Sequence, residues 1–188
     1  MPTGLRVRLK QETADIHAQL EAQINPAADH FGRPELIHLL SRFLGYYTTC
    51  ENQLAVAPPE LAMFLDNRRK RELLVHDLTS FGVPAATIAS IPLCPLPAAT
   101  TTAHTLGRWY VLEGSTLGGQ IVAKILSDRL ALERQQCSFF LSYGDEVGQR
   151  WRDFCDLLEQ HASPAINDDA VAAAHATFQS LSNWLAIP

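Results

Sequence analysis

Apolar side chains recur at spacings of three and four along most of this chain, a period that admits helices and little else. Leu5, Leu9, Ile16, Leu20 and Ile24 set it at the N-terminus. They predict a first helix from about Thr3 to Ile24, stopped by Asn25-Pro26. The next helix opens at Pro34, a favoured first-turn position. It carries Leu36, Leu39, Leu40, Phe43, Tyr47, Cys50 and Leu54 on one broad face, up to Pro58-Pro59. Shorter helices are expected over 60–65 and 69–81, the second with Gly82 as its C-cap. A Pro- and Ala-rich connector then leads to Ala99. Thr100, Thr101 and Thr102 offer N-caps for a long helix reaching about Leu132. A further helix spans about 145–161, Pro164 breaks it, and Asn167 or Asp168 caps the last, which ends near Leu185. No segment sustains the period-two alternation of a strand, and no internal repeat is visible. The expected architecture is all-α, a single-domain multi-helix bundle over 1–188 with six to seven helices.

The length of 188 residues suits one domain with a full core. Hydrophobic residues make up 47% and charged residues 19%, which argues against disorder. A net charge of -5 disfavours nucleic acid or an anionic membrane as partner, since such binders usually carry a strong positive balance. Cys50, Cys94, Cys137 and Cys155 form no C-x-x-C pair, so they read as reduced thiols in the cytoplasm. Arg6, Arg8 and Lys10 interrupt any signal-like apolar run. The longest uncharged stretch, 82–107, holds four prolines and cannot form a clean membrane helix.

Three features could carry chemistry. The first helix holds Lys10, Thr13, His17 and Glu21. At about 100° per residue, Lys10 and His17 are nearly eclipsed, and Glu21 lies one turn beyond His17 on the same face. A carboxylate there can take the Nδ1 proton and leave Nε2 free for a metal. The second feature is Gly114-Ser115-Thr116-Leu117-Gly118-Gly119 within strongly helical flanks. Each glycine costs about 1 kcal/mol relative to alanine inside a helix, so three need a reason. Close approach of backbone to a flat ligand is one; tight helix packing, or a break between two helices, is another. The third is Gln149-Arg150-Trp151-Arg152, whose arginines could bind carboxylates or form a solvated face. Arg68-Arg69-Lys70-Arg71 reads as a solvated face that could dock an acidic partner. A di-iron carboxylate site is rejected, because Glu35-x-x-His38 has no second copy.

Together these pieces resemble the heme oxygenase family. The segment from Leu9 to Glu21 is similar to its proximal helix. The resemblance implies His17 as iron ligand, Glu21 as its hydrogen-bond partner and Lys10 facing a heme propionate. The segment Tyr110 to Gln120 is similar to the distal helix, whose glycine backbone lies over the heme. It is closest to the bacterial branch that supplies biliverdin to bacteriophytochromes. Arg150 and Arg152, after Phe139-Phe140, resemble the segment that brings basic side chains to the propionates, and Phe178 falls where the last helix lines the pocket. In many members an aspartate follows the first distal glycine and organises water; here that position is Ser115, as in several bacterial members. Trp109 stands where some members have a propionate-binding tyrosine, and Tyr110 is its substitute.

The implied reaction is cleavage of heme, both substrate and cofactor, with O2 to biliverdin, CO and ferrous iron. Gly114, Ser115, Gly118 and Gly119 would shape the O2 side. Electrons must come from a separate ferredoxin or flavin reductase, since no flavin or nicotinamide motif is present. Competing readings are a heme carrier or sensor without turnover, and a thiaminase-like or quinone-cofactor oxidase relative of the same fold.

Overall fold

In the computed structural model, which describes residues 4–186, ten α-helices and three short 3-10 turns build the chain, with no strand among those residues. Thr3, the expected start of the first helix, lies outside the described residues. The expected first helix is two: α1 (Leu5–Glu12) and α2 (Ala14–Ile24). Thr13 separates them at φ -102°, ψ 4°. Its hydroxyl donates to the Leu9 carbonyl at 2.7 Å, a back-bond that bends helices. Asn25 ends α2 at φ 27°, a conformation asparagine tolerates better than most residues.

Helix α3 (Arg33–Asn52) carries Pro34 in its first turn, as expected. After α4 (Pro59–Asp66), α5 (Arg71–Ser80) closes with Gly82 at φ 80°. The Val83 amide returns to the Leu78 carbonyl there, so only glycine sits at that position without strain. The connector contains a one-turn helix, α6 (Ala85–Ala89), that its prolines had hidden. Two further helices depart from the expected boundaries. A short α8 (Ser138–Leu141) precedes α9 (Val147–His161). The last helix, α10 (Pro164–Leu185), begins at Pro164 rather than at Asn167 or Asp168. Proline lacks only an amide hydrogen that the first turn leaves unpaired anyway. Asn167 then reaches back to accept the Ser163 amide hydrogen at 3.1 Å.

The long helix α7 (Thr102–Leu130) organises the molecule. Thr101 caps it through the His104 amide at 3.2 Å. It runs unbroken through all three glycines, so the reading of a break there is excluded. It packs most extensively against α10, and also against α8 and α9. Leu106, Leu112 and Leu126 of α7 are fully buried with Leu36 and Leu40 of α3, Phe154 of α9 and Ala174 of α10. No helix among the described residues is long and apolar enough to cross a membrane.

Candidate active site

A cavity of about 610 Å³ is lined by residues of α1, α2, α3, α7, α8, α9 and α10. That size falls within the range of small-molecule and cofactor sites. Lys10, His17 and Glu21 line it from the N-terminal helices, and Phe178 from α10. Tyr110, Gly114, Ser115, Gly118 and Gly119 line it from α7.

His17 sits about half exposed, its side chain at 49%, with Nε2 3.3 Å from Glu21 Oε1. The expected arrangement had Nδ1 on the carboxylate, so the ring must turn to present Nε2 to a metal. The Phe178 ring lies 5.3 Å from the imidazole and limits how far it can swing. No group of three or more His, Cys, Asp or Glu side chains among the described residues could hold a metal ion. A single imidazole beside a flat apolar space suits only a metal that arrives with its other ligands, as iron does in a porphyrin.

The three glycines do different work. A Cβ on Gly118 would meet nothing within 4 Å, so this position opens onto the cavity. A Cβ on Gly114 would rest 3.7 Å from the Trp151 ring, an ordinary contact. A Cβ on Gly119 would overlap the Phe140 carbonyl oxygen. Gly119, which also lines the cavity, lets α7 and α8 touch backbone to backbone.

Ser115 gives its hydroxyl proton to the Leu112 carbonyl at 2.8 Å. Its oxygen therefore accepts from the Tyr47 hydroxyl, 3.2 Å away. Tyr47 is buried at the cavity wall, and burial raises its pKa, keeping the phenol a donor. Tyr110 stacks obliquely on Trp151 at 5.7 Å. Burial also raises its pKa, partly offset by the Thr13 hydroxyl beside it. Thr13 itself does not line the cavity; it is 2% exposed and acts on Tyr110 from behind.

The two expected arginines of α9 also lie outside the cavity. Arg150 Nε points to Glu146 at 3.3 Å, with its guanidinium 5.2 Å from the Tyr143 ring. Arg152 donates to Gln149 at 2.7 Å. One turn of helix rotates both away, and Trp151 takes the inward position between them. Arg6 lines the cavity instead, one turn before Lys10 on α1. Its four-residue spacing from Lys10 was the available signal for it.

The basic run is likewise not all solvated. Arg69 and Arg71 are exposed, but Arg68 and Lys70 are 2% and 1% exposed. Both pair with Glu113 of α7, itself 1% exposed. Lys70 Nζ lies 2.6 Å from Glu113 Oε1, and Tyr143 donates to the same oxygen at 2.9 Å. Lys70 also lines the cavity. Burial lowers its pKa, against the pull of Glu113. Nothing in a run of four cations says which will turn inward. Glu113 was the better clue, a lone acid within an apolar stretch.

Comparison with known proteins shows the family. The family model described as Heme oxygenase matches residues 3–186. A heme oxygenase of Xanthomonas campestris pv. campestris (strain 8004) is 36% identical over 120 residues, covering 63% of this chain and 68% of that protein. The heme oxygenase of Neisseria meningitidis, solved with NO and CO bound, superposes with a TM-score of 0.77 at 18% identity, over 97% of this chain and 90% of that one. Heme oxygenase from Leptospira interrogans gives a TM-score of 0.79 at 16% identity, over 97% and 98%. At those identities the structural likeness is one of fold. The length and continuity of the family match carry the conclusion: the chain belongs to the heme oxygenase family.

Proposed function

We propose that this chain binds one heme in the 610 Å³ cavity and cleaves it to biliverdin, CO and ferrous iron. The observation that carries the reading is the pairing, across one cavity, of a single accessible imidazole with a helix face left bare at Gly118. Heme bound there supplies the iron and porphyrin chemistry, with O2 and external electrons. The residues of the chain supply position and surroundings.

His17 turns from Glu21 to offer Nε2 to the iron, and Glu21 then holds the imidazole from its other nitrogen. Gly118 admits the macrocycle close to the α7 backbone. Tyr47 and Ser115 form the polar spot on this wall and hold the water and O2 that share the space. Arg6 and Lys10, with the Tyr110 hydroxyl, hold the heme carboxylates by charge-assisted contacts and fix its in-plane rotation. Phe43, Phe139 and Phe178 exclude bulk water from the rest of the cavity. The protein works as one domain in the cytoplasm, takes electrons from a ferredoxin or flavin reductase, and hands biliverdin to a bacteriophytochrome.

The test is a hemin titration of wild type and His17→Ala, followed by reductant in air. A stoichiometric Soret band that requires His17 and decays as biliverdin absorbance grows supports the enzyme. A Soret band stable to reductant and air replaces it with a carrier or sensor. No specific Soret band removes heme from the reading.

A further inference from the structure

Lys70 is the least expected residue in the cavity wall. It is 1% exposed, and a buried ammonium is costly unless it is paired. Pairing alone does not account for it. Arg68 already pairs with Glu113 through Oε2, so Lys70 is a second cation on one carboxylate. The nearby Glu51 does not balance it through a side-chain contact. Glu51 Oε1 accepts the backbone amides of Lys70 and Arg71, at 2.6 and 3.0 Å. The groups facing the ammonium are thus Glu113 from α7, the partly exposed Tyr143 before α9, Arg68 on its own segment, and Glu51 from α3. All three donors of Nζ find an acceptor: Glu113 Oε1 at 2.6 Å, the Tyr143 hydroxyl at 3.0 Å and the Arg68 carbonyl at 3.1 Å.

This cluster stands beside the α7 side of the cavity, whose own lining has no carboxylate or cation. The polar pair here, Tyr47 of α3 and Ser115 of α7, consists of two hydroxyls, neither of which ionises near neutral pH. Glu113 lies two residues before Ser115 on the same helix, and its charge is felt at the Tyr47 hydroxyl. Reduction of O2 consumes protons, and the largely apolar α7 side of the cavity has to be supplied with them.

We propose that Lys70 is the proton donor of this cavity, held by Glu113 and recharged from solvent past Tyr143. This rests on the reading of the cavity as a heme and O2 site. In each transfer Lys70 turns one N–H from the Arg68 carbonyl, the longest of its three contacts at 3.1 Å, toward the cavity; that bond breaks, and the proton passes to reduced oxygen substrate or to water bound beside it. The neutral amine then takes a proton from solvent at the partly exposed edge of Tyr143, whose own hydroxyl hydrogen stays on Glu113. One proton enters and one leaves; the electrons come from the external donor and do not pass through this cluster. Burial favours release by lowering the pKa of Lys70, while Glu113 keeps it charged between transfers.

Three variants test this: Lys70→Met, Lys70→Arg and Tyr143→Phe, each loaded with hemin and compared with wild type. Arginine keeps the charge and the pairing with Glu113 but does not give up its proton near neutral pH. All three are expected to bind hemin with the wild-type Soret band. Both Lys70 variants should convert it more slowly, on the order of a hundredfold. Tyr143→Phe should slow it less and change the solvent deuterium isotope effect. One readout needs no turnover: the acid–alkaline midpoint of the ferric complex should rise in Lys70→Met, which removes a nearby positive charge, and stay near wild type in Lys70→Arg. A Lys70→Arg protein with the wild-type rate and pH profile overturns the proposal. If the Lys70 variants do not fold, Tyr143→Phe decides, and an unchanged rate and isotope effect overturns it. A wild-type protein that shows no specific Soret band refutes the heme reading instead. A wild type that turns over, beside a Lys70→Arg protein that matches it, refutes only this inference.

Discussion

His17 and Glu21 sit one helical turn apart, with Nε2 of the imidazole 3.3 Å from Oε1 of the carboxylate. Both are well exposed, so the contact adds little to stability. In the proposed heme site Glu21 would hold the turned ring from its other nitrogen. Glu21→Ala is expected to leave the urea midpoint unchanged and to weaken hemin binding by about tenfold, as loss of a ligand's outer partner typically does. Equal affinities in a hemin titration would show that Glu21 has no part in holding the ring.

The glycines of α7 should separate in a pair of substitutions. Gly118→Ala adds a methyl group to open space, so the helix gains up to about 1 kcal/mol. The same methyl group stands where heme is proposed to lie, and binding should weaken on the order of tenfold. Gly119→Ala forces α7 off the Phe140 carbonyl and should cost about 1–3 kcal/mol. Urea unfolding and hemin titration on both proteins read the two effects.

The cations of α1 should matter more than those of α9. Arg6→Ala combined with Lys10→Ala is expected to raise the hemin dissociation constant and to scramble the biliverdin isomers, read by chromatography of the product. Arg150→Ala and Arg152→Ala, whose side chains lie outside the cavity, should change neither. A shifted isomer ratio in the α9 variants alone would place the carboxylates on the other side.

Glu51 gives the fold a pH dependence. Burial raises its pKa above the ordinary 4.5, although two backbone amides pull it the other way. Between those two values the folded chain holds a proton that the unfolded chain has lost. Its contribution is therefore full below about pH 4.5 and declines as pH rises through the folded value. Glu51→Gln should flatten that part of a stability profile measured by urea unfolding from pH 4 to 7. A profile with the wild-type slope would assign the dependence to another group.

Much of this fold was legible in the sequence, because helix period and proline punctuation are local properties. The starts of α3 and α7 and the Gly82 stop follow from single residues acting on their own backbone. The split at Thr13 was not legible, since a threonine within a helical pattern bonds its preceding turn or faces solvent with equal ease. The site divides in the same way. His17, Glu21 and Lys10 share a face by spacing alone. Whether Arg150 or Arg6 reaches the cavity depends on how α9 and α1 are rotated against α7, which no local pattern encodes. Lys70 and Arg68 turned inward because Glu113 awaited them 43 and 45 positions later.

The break at Thr13 also divides the cavity wall by strength. Helix α1 buries Leu5 and Leu9 completely, whereas α2 has only Leu20 in the core. The segment carrying His17 is thus held by Leu20, by the partly buried Ile16 and Ile24 and by Gln23 on Ser182, and is jointed at its start. A flat, rigid molecule needs a door wider than the slot it finally occupies, and a ring that has been cut open must leave by some route. Helix α2, the less deeply buried of the two, is the panel such a passage would have to move, while α1 keeps Arg6 and Lys10 in place.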